Sequence, residues 1–113
     1  MIPAARLSNE DYAYWQLHAF NHLGQILAQH RQLHTLRWAI DPYGYGLRGE
    51  VVPSSDYTGA YDIEYLFAEW VKALGLDLLL TGSDQLAATG QHGGCRVTIT
   101  ASLPTPPQRK DTT

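Results

Sequence analysis

Histidine is the residue whose spacing comes closest to chemistry in this chain. His18 and His22 stand four residues apart, and His30 and His34 repeat the interval. On a helix, two imidazoles at that spacing face the same way and can share a zinc or nickel ion. A hydrolytic zinc helix follows its first histidine with glutamate. Here Ala19 and Arg31 occupy that place, and no third ligand follows at a recognisable distance. The pattern therefore predicts neither a metal nor any other cofactor. His18 and His22 are read as flanking a buried stripe, and His30 as supporting a helix C-terminus, where a cation is favoured. A metal protein using His18 and His22 is the third-ranked reading.

The nucleophiles give no better constellation. Cys95 has His92 three residues before it, but thiolate chemistry needs a cation or a helix N-terminus beside the sulfur. Cys95 instead alternates with Val97 and Ile99, as a buried structural thiol would. Ser54, Ser55 and Ser83 fall in loops without the Gly-x-Ser-x-Gly elbow of a hydrolase. Glu10/Asp11 and Asp62/Glu64 read as helix-start acids, stabilising at the positive end of the dipole. Gly90-Gln91-His92-Gly93-Gly94 is glycine-rich but leads into a strand, so it offers an anion no helix N-terminus. A hairpin turn accounts for those glycines. No catalytic residue is assigned.

Recognition has a stronger signal. The chain holds seven tyrosines against two phenylalanines, and tyrosine suits surfaces that are alternately wet and buried. Tyr43, Tyr45 and Tyr57 fall in loops, while Arg37 and Arg48 fall on strands with their side chains away from the core. Aromatic residues and arginine are enriched where proteins meet. These five residues are the candidate protein interface. Stacking of single-stranded nucleic acid on such rings, beside Arg37, Arg48 and Arg96, is the competing use. A net charge of −3 and a pI near 5.9 oppose it, because nucleic-acid modules present basic surfaces.

The elements that must hold these residues follow from periodicity. Ser8, followed by Glu10 and Asp11, opens a helix over 8–30, with Asp11 replacing the glutamate or glutamine of a strict capping box. Tyr12, Trp15, Ala19, Leu23, Ile26, Leu27 and His30 gather on one side of it. Gly24 weakens its interior, which implies a close neighbour there. Residues 36–40 and 47–52 alternate as a hairpin around Pro42-Tyr43-Gly44-Tyr45. A second amphipathic helix spans 61–74 through Ile63, Phe67, Trp70, Val71 and Leu74, closed by Gly75. A short strand at 78–81 and a second hairpin, 86–89 with 95–101, complete the domain over residues 1–103. The proline-rich stretch 104–113 reads as a disordered tail.

The expected architecture is α+β: two helices on one face of a four- to five-stranded antiparallel sheet, in the order α-β-β-α-(β)-β-β. With 113 residues, 44% hydrophobic, a single core is feasible without disulfides. One cysteine, no basic-apolar leader and no long apolar run point to a cytoplasmic protein without membrane segments.

The segments Leu27-Ala28-Gln29-His30, Leu36-Arg37-Trp38-Ala39-Ile40, Leu47-Arg48-Gly49-Glu50-Val51 and Phe67 to Gly75 carry a resemblance. Across about residues 20–103 the chain resembles small uncharacterised proteins of actinobacteria, their phages and integrative elements. The resemblance implies the same helix–hairpin order and a mobile-element setting, but no activity. The sequence thus points to a non-enzymatic protein-interaction module whose partner is another protein or a second copy. The alternative is a small-ligand or nucleotide binder using the 43–46 turn and the 53–60 loop.

Overall fold

The computed structural model describes residues 8–41, 46–52 and 60–104. The elements run α1 (Asn9–Gln29), β1 (Arg37–Ile40), β2 (Gly46–Val51), α2 (Ala60–Leu74), β3 (Asp77–Leu78), β4 (Gln85–His92) and β5 (Cys95–Ser102). Element order and α+β class are those expected from periodicity. Ser8 caps α1: its hydroxyl accepts from the Asp11 N–H at 3.2 Å, and the Asp11 carboxylate accepts from the Ser8 N–H at 2.9 Å. Aspartate thus closes a reciprocal capping box here. The Tyr43 and Tyr45 turn, the Tyr57 loop and the tail beyond Pro104 lie outside the described residues.

The sheet corrects the expectation of an all-antiparallel arrangement. It is mixed, with spatial order β1-β2-β5-β4-β3. β1/β2, β3/β4 and β4/β5 pair antiparallel, but β2 and β5 run parallel, with Leu47 beside Val97 and Gly49 beside Ile99. The reason is the path of α2. After β2 the chain crosses the sheet face through α2 to the far edge, starts β3 there, and returns through the β4–β5 hairpin into the middle. β5 therefore arrives beside β2 in the same direction. Alternation along a strand specifies its buried face but not its direction, so this pairing leaves no local trace.

All the core side chains of the central strands point toward the helices: Leu47 and Val51 on β2, Cys95, Val97, Ile99 and Ala101 on β5, Ala88 on β4. Gly49 sits among them because a methyl group there would meet Leu36, Ile99 and Trp38 at about 3 Å. α2 lies over β5, β4 and β2, burying Ile63, Leu66, Phe67, Trp70 and Leu74. The indole of Trp70 donates to the His34 carbonyl at 2.8 Å and meets the Trp38 ring edge-on at 5.7 Å.

α1 departs from its expected orientation in part. Ala19 and Ile26 are buried, but Leu27, expected in the core stripe, is exposed, as are Leu17 and Phe20. Gly24 is also exposed, and nothing lies within 4 Å of where its Cβ would stand. Its close neighbour, expected from the sequence, is not in this chain's described residues. The short strand expected at 78–81 is β3 at Asp77–Leu78, with the Leu79 N–H still donating to Ala87 O at 2.9 Å.

Candidate functional site

The face of the sheet opposite the helices carries the polar members of four strands, as alternation predicts: Arg37 on β1 beside Ala39, Arg48 and Glu50 on β2, Thr89 on β4, and Arg96, Thr98 and Thr100 on β5. Arg37 and Glu50 stand opposite each other in the β1/β2 register and form an ion pair at 3.6 Å. Both side chains are well exposed, so the pair contributes less than about 1 kcal/mol. It does, however, occupy Arg37 with an internal carboxylate.

Arg48 is placed differently. The parallel register puts it beside Thr98, with Arg96 two residues back on the same face of β5. Neighbouring strands lie about 4.8 Å apart, so the two residues are diagonal neighbours, although the Arg96 guanidinium turns the other way, toward Thr89 on β4. They line a shallow groove of about 320 Å³ with Ala39, Ile40, Asp41, Gly46, Leu47 and Thr98. Asp41 is fixed at its end by its N–H, which donates to Gly46 O at 3.0 Å and closes the β1–β2 hairpin.

Arg96 is oriented by a hydroxyl relay. The Thr89 hydroxyl donates to Val97 O at 3.2 Å, lies 3.1 Å from the Thr98 hydroxyl, and accepts from Arg96 Nη1 at 3.3 Å. Among the described residues neither Arg48 nor Arg96 has a carboxylate partner within ion-pair distance. Each guanidinium presents a planar fork of donors that matches a carboxylate or phosphate.

Of the five residues singled out from sequence, the structure thus keeps Arg37 and Arg48 on one face but places only Arg48 in the groove. Tyr43, Tyr45 and Tyr57 lie outside the described residues. Arg96 is not among the five, although the alternation of Cys95, Val97 and Ile99 already puts it on the open face. What the sequence lacks is the β2/β5 pairing that brings it to Arg48.

The remaining chemical candidates gather around the tip of the β4–β5 hairpin. α1 lands there: the His22 and His92 rings are 5.6 Å apart, and Gly93 and Gly94, with φ of 59° and 82°, lie under His22 and His18. Those glycines make the turn, as expected, but Gly93 has a second reason to be glycine. A Cβ there would collide with the His22 imidazole. Burial holds the His22 pKa below the usual histidine value, with the His92 and His18 charges acting in the same direction. Among the described residues, no group of three or more His, Cys, Asp or Glu side chains is arranged to hold a metal ion. Burial also pushes the Cys95 thiol up, away from the thiolate form that nucleophilic chemistry requires.

Comparison with known proteins finds no matching family model, no matching curated protein and no matching solved structure. No described helix is long and apolar enough to cross a membrane.

Proposed function

We propose that the chain is a non-enzymatic interaction module that offers the helix-free face of its sheet to an acidic segment of another protein. The observation that carries this reading is that Arg48 and Arg96 both line one groove, and neither has a carboxylate partner among the described residues. Tyr43 and Tyr45 lie in sequence between Asp41 and Gly46, and Tyr57 between β2 and α2. In this reading their rings are buried on contact and the arginines make charge-assisted hydrogen bonds. A cytoplasmic setting goes with the proposal, supported by a single, buried, free cysteine. An accessory role in a mobile element is supported by the resemblance of packing residues alone.

The test is a titration with glutamate-rich peptides, comparing the wild-type chain with Arg48→Glu/Arg96→Glu and with Tyr43→Ala/Tyr45→Ala. Binding that weakens by at least about tenfold in the double charge reversal, and falls with salt, supports the proposal. Binding that neither pair of substitutions alters defeats it.

The groove itself favours a second reading, a small anionic ligand or nucleotide, because its volume lies within the range of ligand pockets. Thermal stabilisation of the wild-type chain by a nucleotide or a dicarboxylate, absent in Arg48→Glu/Arg96→Glu, would select this reading over the first.

A further inference from the structure

The helix side of the molecule carries an apolar surface that is left exposed among the described residues. Ala13, Leu17, Phe20, Gly24 and Leu27 follow one another along α1 at intervals of four, three, four and three, the spacing of a coiled-coil seam. All five are exposed; Leu17 and Phe20 leave 58% and 59% of their surface in water, and Leu27 41%. They stand on the side of α1 away from Ala19 and Ile26, which it packs against the core. Glu10 lies in the first turn of α1 and Arg31 just beyond its C-terminal cap, His30, and both are exposed.

We infer that this stripe is a self-association surface, on which α1 pairs antiparallel with α1 of a second copy. The seam is complementary to itself only when reversed. In a parallel pair equal positions meet, so glycine faces glycine and leaves a gap. Glutamate then faces glutamate and arginine faces arginine at the two ends. In an antiparallel pair each seam residue meets the alternate position of the partner helix. Phe20 then lies over the partner's Gly24 and Leu17 meets the partner's Leu27, while Arg31, past the end of α1, comes to the end of the partner helix that carries Glu10. The large ring fills the space the glycine leaves, and opposite charges meet at both ends. Antiparallel alignment also sets the helix dipoles head to tail.

Gly24, which destabilises the isolated helix and leaves open space where a Cβ would stand, acquires a role as the seat for that ring. A single stripe of five seam residues buries less than a standard interface, so the dimer is a weak, concentration-dependent one. This surface is separate from the Arg48–Arg96 groove, and the proposal does not rest on the function given above.

Sedimentation equilibrium on the full chain, up to about 1 mM, tests it directly. The wild-type chain is expected to dimerise. Phe20→Glu and Gly24→Leu, both at exposed positions that leave the circular dichroism unchanged, should each weaken dimerisation at least about tenfold. Glu10→Arg should weaken it and Glu10→Arg/Arg31→Glu should restore it, whereas Arg48→Glu/Arg96→Glu should leave it unaltered. Orientation is read by mixing Leu17→Cys with Leu27→Cys and oxidising: disulfides should form between unlike chains. A chain that stays monomeric throughout, a dimer indifferent to Phe20→Glu, or disulfides between like chains would each overturn the inference.

Discussion

The two helices cover the same face of one sheet in different ways. Across its 15 residues α2 buries Ile63, Leu66, Phe67, Trp70 and Leu74, over the strands at the centre of the sheet. α1 is longer, 21 residues, yet it buries only Ala19 and Ile26 and touches the body otherwise through half-buried residues such as His22, Leu23 and His30. α2 has one apolar stripe, and the core takes it with only Val71 half-buried. α1 has two, and the core takes one. Burial is thereby divided unequally between the helices: it is concentrated on α2, and on α1 it is confined to one side, with an apolar stripe left exposed on the other.

The comparison is broken most readily by deleting a large side chain from each helix. Trp70→Ala removes a fully buried indole, its bond to the His34 carbonyl, and its ring contacts with Trp38 and His30. It should cost about 3–5 kcal/mol in urea unfolding, the range for deleting a buried aromatic ring. Ile26→Ala should cost about 2–3 kcal/mol, the lower part of the range for a buried aliphatic, because α1 is enclosed on one side only. Equal losses at the two positions would show that α1 is as integral to the core as α2.

A smaller effect is expected where α1 meets the β4–β5 hairpin. Gly93→Ala places a methyl group against the His22 ring on a backbone with φ of 59°, and should cost about 2 kcal/mol. In Gly93→Ala/His22→Ala the collision is gone and the backbone strain stays, so the two losses should add up to more than the double variant shows. The same contact makes stability depend on pH. His22 takes up a proton less readily folded than unfolded, because of burial and the nearby His92 and His18. Above about pH 6.5 the group is neutral in both states and its contribution is complete. As pH falls below that value the unfolded chain binds the proton first, and stability is lost down through the lowered folded pKa. The Tm of the wild-type chain should therefore drop between about pH 7 and pH 5 by more than that of His22→Phe. Parallel pH profiles would mean that His22 titrates normally.

Much of this division was legible in the sequence, and the exceptions share a cause. α2, with Ile63, Phe67, Trp70 and Leu74 on one stripe, could be read directly, because a single buried face imposes a single period. β5 was legible for the same reason. α1 was harder to read: Leu17, Phe20 and Leu27 lie on a second apolar face, and a helix that is apolar on two sides does not say which one the core takes. The mixed sheet was invisible because strand direction depends on where α2 crosses, a tertiary choice. The candidate groove inherits that gap. Arg48 and Arg96 each declare the open face by alternation, but only the β2/β5 register makes them neighbours.

The smallest expected effect bears on why α1 contains a glycine at all. Gly24 lies in the middle of a 21-residue helix, exposed, with nothing within 4 Å of the place a methyl group would take. In dilute solution Gly24→Ala should therefore stabilise the chain by up to about 1 kcal/mol, through the lower backbone entropy of the unfolded state. The glycine costs the isolated helix stability and contributes no contact to it. If the same substitution, measured by sedimentation at high concentration, also loosens the dimer by crowding the seat of Phe20 from the second copy, the two results together assign the residue. Gly24 would then be kept for what α1 meets outside its own chain. Stabilisation without any change in association would leave α1 with an apolar stripe whose glycine plays no part in recognition.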